Sequence, residues 1–311
     1  MILTDKLIPF FFSGRLAMLD DRMMRRIRRD LRKGLKKMSN HRPIQYLNLA
    51  SMPAVPFDVN SLKSEAVMRL LQETKSCIGG VKIEMITNGE NSWSQEEHPA
   101  ATIGINIQSP TVLFVESLGK EQRIEAISHE LGHLLLVYRS GLGLVGLRIP
   151  HRENSQEAFR FFSNMKESWF YLLGQIPNTI HHLILVGFLK EGYGLTSSRH
   201  AHFLQRHFQN SGDEGSKDKE LLYASGLAAF EYGKLVGPIE RVINTRSQSE
   251  SFWEAYSSAQ KYFGNYSSSS IPTPSDHKED ILSFLESLGY RKEGFMFFPK
   301  DVSDDREEGV G

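Results

Sequence analysis

The chain has 311 residues, with 37 Lys plus Arg set against 37 Asp plus Glu, so its length can fill one large hydrophobic core or two modest ones, and its balanced charge removes any global field drawing it to nucleic acid or membrane. A single cysteine, Cys77, excludes an internal disulfide. Residues 1–12 carry a Pro9-interrupted apolar patch with no early positive region and no small-residue cleavage site, so we expect no secretory signal and a cytoplasmic protein.

In chain order, residues 22–37 are dense in Arg and Lys, with Met23, Met24, Ile27, Leu31 and Leu35 spaced along one face of a helix. Such a helix could lie on nucleic acid or an anionic membrane. The reading we favour has its apolar stripe packed on the body of the protein, because no aromatic residue is interleaved with the basic run. Residues 39–60 hold Pro43, Pro53 and Pro56 and read as an extended connector. Ser61 is expected to cap a helix running to about residue 76, stopped by Gly79 and Gly80. Three short strands are predicted at 81–87, 101–107 and 111–116, where alternating or β-branched residues are punctuated by Asn88-Gly89 and Ser109-Pro110.

The sharpest motif follows these strands. Residues 127–137 read Ile-Ser-His-Glu-Leu-Gly-His-Leu-Leu-Leu-Val. His129 and His133 are four apart and so share one face of a helix, with Glu130 beside the first. Two neutral imidazoles with a third protein ligand from elsewhere suit zinc with a fourth position open to water, and Glu130 is placed as general base. Ile124, Ile127, Leu131, Leu134 and Leu135 recur at helical spacing and predict a buried back face.

The run of helix, short strands and HELGH helix resembles the zincin-type metallopeptidases, and within them the compact gluzincin-like group that includes the phage-immunity and radiation-response regulator proteases. The resemblance spans roughly residues 61–190, and its sharp motif is His129-Glu130-Leu131-Gly132-His133. It implies an α+β, mostly helical fold with a small sheet packed on the HExxH helix, a zinc cofactor, and a peptide or protein substrate. The regulator group follows HExxH with a Glu-rich, Ala-containing helix and a Leu-Met-Pro ending; here Glu157-Ala158 occurs without that ending.

The third zinc ligand is expected downstream. Past a glycine-rich loop at 141–146, a helix is predicted from about 154 to 173, with Glu157 at the edge of its apolar face. A second helix is predicted to open at Pro177, where proline at the first position is favourable. It reads Asn178, Thr179, Ile180, His181, His182 and then an apolar run at 183–189, too short to span a bilayer. An all-round apolar helix is buried, and a buried polar group needs a partner, so Asn178 and His182 on one face point to something polar opposite. His182 is the first choice of ligand and Glu157 the alternative; His181 could serve the developing oxyanion.

Beyond residue 195, His200, His202 and His207 read as a solvated helix rather than a metal tract. Helices are predicted at 221–235, 250–263 and 275–288, and a short apolar strand or docking segment at 295–298. Glu231 in the small-residue helix reads as exposed rather than as a buried partner of a ligand. The expected division is a basic helix and connector over 1–60, a zincin-like catalytic core over 61–195, a helical part over 196–300, and an acidic, disordered tail over 301–311. The expected activity is zinc-dependent peptide hydrolysis. The rival is a regulatory or binding protein on the same scaffold, its metal purely structural.

Overall fold

The computed structural model describes residues 54–87, 100–103, 110–147, 167–198, 200–202, 204, 218–243 and 248–298. The basic N-terminal helix, the candidate ligand Glu157, His207 and the acidic tail lie outside them. The fold is α+β and mostly helical, with a small mixed sheet of short strands, as the sequence predicts. Two compact units divide at Leu135/Leu136, inside one continuous helix.

In the first unit a four-stranded sheet has the order β1-β2-β4-β3, built from β1 (Ala54–Pro56), β2 (Lys82–Ile86), β3 (Ala100–Ile103) and β4 (Thr111–Val115). β2 and β4 run parallel, with Lys82 opposite Thr111, while β1 and β3 flank them antiparallel. The Val-Leu-Phe-Val run of β4 is buried throughout, as expected of a strand inside a sheet. β1 corrects the reading of 39–60 as wholly connector. Its Pro56, which cannot donate to a ladder, sits on an outer strand where that loss is tolerated.

Helix α1 (Glu65–Ile78) starts later than predicted, because Ser64 caps it and a short 3-10 turn at Val59–Leu62 occupies the preceding residues. Gly79, at φ 85°, ends it in the left-handed conformation that glycine takes without steric cost. Helix α2 (Lys120–Tyr138) carries the HExxH residues. Ile127, Leu131, Leu134 and Leu135 are buried on it, as the helical spacing requires. At its start Arg123 donates to the carbonyls of Leu118 and Glu116, both at 2.7 Å, and lies over the rings of Phe57 and Phe114. These contacts tie the helix entry to the sheet.

In the second unit the predicted glycine-rich loop contains a strand, β5 (Leu144–Leu147), paired antiparallel with β6 (Phe295–Phe298), with Leu144 opposite Phe298. Helix α3 (Glu167–Tyr193) runs straight through Pro177, where the sequence reading placed a helix start. Proline inside a helix costs about 3 kcal/mol, and here Leu172, Leu173, Ile176 and Ile180 around it are all buried, a gain of comparable size for each large side chain. By length and composition its stretch Tyr171–Tyr193 is long and apolar enough to cross a membrane, although 67% of that window is buried inside the protein, as in a core helix.

Helix α4 (Lys219–Leu235) packs between α3 and α5 (Glu250–Phe263), and α5 also meets α6 (Pro274–Ser287). The small residues of α4 permit this. A Cβ on Gly226 would stand 2.3 Å from the carbonyl oxygen of Phe252, so the two backbones come as close as only glycine allows.

Candidate metal centre and a buried carboxylate

In the first unit α2 brings His129 and His133 together on one face. Their Nε2 atoms are 3.1 Å apart and their rings meet edge-on, with centroids 4.7 Å apart. An N–H···N hydrogen bond or a shared cation satisfies two imidazole nitrogens at that spacing. Zinc bound tetrahedrally at about 2.0–2.1 Å holds neighbouring nitrogens on the order of 3.3 Å apart, so the pair fits a metal with little adjustment. His133 is buried and His129 half-buried.

Glu130 is held from the sheet. The Thr102 hydroxyl on β3 donates to its Oε2 at 2.6 Å. β3 is the end strand in the order β1-β2-β4-β3, so the residue expected to act as base is anchored to the strand at one side of the sheet. No sequence signal announced Thr102, because the partner of Glu130 lies 28 residues upstream on a different element.

In the second unit His182 sits on α3 and is 7% exposed. The polar face opposite it belongs to Glu231 on α4, which is 0% exposed and corrects the reading of that residue as solvent-facing. Asn178 is exposed and takes no part in a buried face; the side chain one turn before His182 that does so is Thr179. The carboxylate of Glu231 receives His182 Nδ1 at 2.7 Å and His200 Nε2 on Oε1. Its Oε2 receives the Thr179 hydroxyl at 2.8 Å and the Gln175 amide at 3.4 Å. Gln175, Thr179 and His182 recur at intervals of four and three along α3, so one stripe of that helix serves one carboxylate. His200 departs from the solvated reading, whereas His202 fits it: exposed, with its Nδ1 on the carbonyl of Ser198 at 2.9 Å.

Burial drives the Glu231 carboxyl toward protonation, but the two imidazoles and their hydrogen bonds outweigh it and hold the group well below the usual carboxylate range. Burial likewise lowers His182, with the neighbouring His200 adding to the effect and Glu231 opposing it. The donor atoms of His182, His200 and Glu231 lie within 4.8 Å of one another and are of types that could hold a cation. Their contacts are of hydrogen-bond length, however, shorter than the separation of roughly 3.3 Å that ligands of one zinc keep. As arranged, the two imidazoles are bonded to the carboxylate.

His181 faces elsewhere in the same unit. Its Nε2 donates to the carbonyl of Leu142 at 3.0 Å, and His277 Nε2 donates to the adjacent carbonyl of Gly143 at 3.0 Å. The nitrogen that an oxyanion role would call on is thus committed to backbone. Burial, then the neighbouring His277, push His181 down to about 3, so it stands neutral.

Comparison with protein-family models, curated proteins and solved structures finds no match to this chain.

Proposed function

We propose that the chain is a zinc-dependent peptidase, with His129 and His133 binding the metal, His182 completing the set and Glu130 acting as general base. The observation that carries the reading is the HExxH face of α2, whose two Nε2 atoms stand 3.1 Å apart beside a carboxylate fixed by Thr102. His182 is the third imidazole that the sequence offers to complete such a set, of the ligand type that zinc takes. Zinc, when bound to three nitrogens with a fourth position open, lowers the pKa of a coordinated water to about 7 and polarises a carbonyl.

The rest of the chemistry belongs to the chain. Glu130 accepts the proton of the attacking water and delivers it to the leaving amine. Thr102 holds the carboxylate in place for both transfers. β3, paired among the described strands with β4 alone, offers an edge on which an extended peptide could be added as a further strand, close to Glu130. That suits a peptide or unfolded protein segment as substrate.

The test is elemental analysis of protein prepared without chelator, paired with peptide hydrolysis by the parent and Glu130→Gln. We expect close to one zinc per chain in both, with hydrolysis reduced about 100-fold or more in the variant. No transition metal and no uptake of added zinc would overturn the reading. Zinc retained without hydrolysis of any peptide in a broad mixture would favour a structural metal on a regulatory or binding protein.

A further inference from the structure

We infer that Glu231 is the positioning residue for His182: it fixes the tautomer and ring of that imidazole so that Nε2 is the nitrogen offered to the metal. The inference rests on the zinc reading with His182 as third ligand. Its own evidence comes from the second unit alone.

The four donors around Glu231 decide the protonation pattern. An ionised carboxylate only accepts, and has about four lone-pair sites. His182, His200, Thr179 and Gln175 supply four donors, two to each oxygen. Each imidazole nitrogen that touches the carboxylate therefore carries hydrogen. For neutral His182 this places the proton on Nδ1 and the lone pair on Nε2, the form in which a histidine binds a metal while its other nitrogen is oriented by a carboxylate. A carboxylate held from four directions cannot swing away, so the His182 ring is fixed with it. Thr179 and Gln175 come from the same helix as His182, and Glu231 comes from α4, which packs against that helix. The preorganisation is therefore built into the α3–α4 pair.

The buried charge supports the same assignment. A carboxylate with no exposed surface is expensive in an apolar core, and the four side-chain hydrogen bonds it accepts offset part of that cost. A cation bound through His182 would supply the opposite charge within one residue of it.

The experiment measures zinc affinity by competition with a chromophoric chelator in the full-length parent, Glu231→Gln, His182→Ala and the double variant, together with nitrogen-15 NMR of the histidines in the metal-free parent. We expect Glu231→Gln to weaken zinc binding by about 10- to 100-fold, His182→Ala to weaken it further, and the double variant to match His182→Ala, because Glu231 acts through that ring. The NMR should show His182 with hydrogen on Nδ1, a readout needing no variant to fold. Parent-like affinity in Glu231→Gln, a further full-sized loss when it is added to His182→Ala, or hydrogen on Nε2 of His182 would each overturn the inference while leaving the zinc reading intact. Parent-like affinity in His182→Ala would remove the third-ligand assignment and this inference with it. A His200→Ala loss as large as that of His182→Ala would transfer the role to the other imidazole and overturn it too.

Discussion

Thr102 and Glu130 are joined by a 2.6 Å hydrogen bond that links the end strand of the sheet to the HExxH helix. A hydrogen bond to a charged group is worth about 1.5–3 kcal/mol, and its loss here would release the rotamer of the base rather than remove the base. Thr102→Val keeps the shape of the side chain. We expect zinc content to be unchanged and kcat for peptide hydrolysis to fall about 10-fold, well short of the loss in Glu130→Gln. Steady-state kinetics on both variants checks the order; equal losses would mean that Thr102 does more than orient.

Gly226 and Phe252 mark a close approach of α4 and α5. A methyl group on Gly226 would sit 2.3 Å from the Phe252 carbonyl oxygen and 3.0 Å from the Ala255 Cβ, so α4 and α5 would have to separate. Alanine gains about 1 kcal/mol in helix propensity over glycine, whereas overpacking a close contact against backbone costs about 1–3 kcal/mol. Clash outweighs propensity at this position, because the obstructing atom is backbone and cannot turn aside. Gly226→Ala is expected to lower the urea midpoint. Gly233→Ala on the same helix, where the added Cβ would meet nothing closer than the Tyr256 hydroxyl at 3.5 Å, should leave it level or raise it.

Local signals carried most of the elements. β2 and β4 show β-branched or alternating residues between turn signals, α5 and α6 lie within one residue of their predicted limits, and the HExxH spacing alone puts His129 and His133 on one face. Failures came where tertiary packing overrode a local rule. Pro177 reads as a helix start, yet buried neighbours on both sides carry α3 through it. Glycines at 143 and 146 read as loop, yet pairing with β6 makes 144–147 a strand. Glu231 was the costliest miss, because one carboxylate carries no partner information by itself. The available signal was the company it keeps: a charge directly after Leu227-Ala228-Ala229-Phe230, all buried, facing a helix with Gln175, Thr179 and His182 at turn spacing.

The two candidates for third ligand separate by affinity. His182 is buried and oriented by a carboxylate, the setting of a metal-bound imidazole. Glu157→Gln and His182→Ala should therefore differ. Removing a true ligand leaves two imidazoles one turn apart and a weak site, whereas a bystander leaves affinity near that of the parent. We expect the large loss from His182→Ala in a zinc titration; a large loss from Glu157→Gln alone would move the assignment to the carboxylate.

Stability should fall on mild acidification, and His181 supplies a measurable share. Buried and bonded to the Leu142 carbonyl through Nε2, it sits at about 3 in the folded chain against 6.5 when unfolded. The unfolded state thus binds the proton more readily than the folded one. Its contribution is fully present above pH 6.5 and is lost as pH falls from there toward 3. Between pH 7 and pH 5 the loss from this one group is about 2 kcal/mol. His277, also lowered by burial, acts with the same sign; its Nδ1 is buried with no hydrogen-bond partner among the described residues, so that nitrogen gains nothing from a proton there. His181→Gln keeps an N–H donor for Leu142 and removes the titration. Urea unfolding at pH 7 and pH 5 should show the parent losing more stability than the variant, by about 2 kcal/mol. Equal losses in the two proteins would place the acid sensitivity elsewhere.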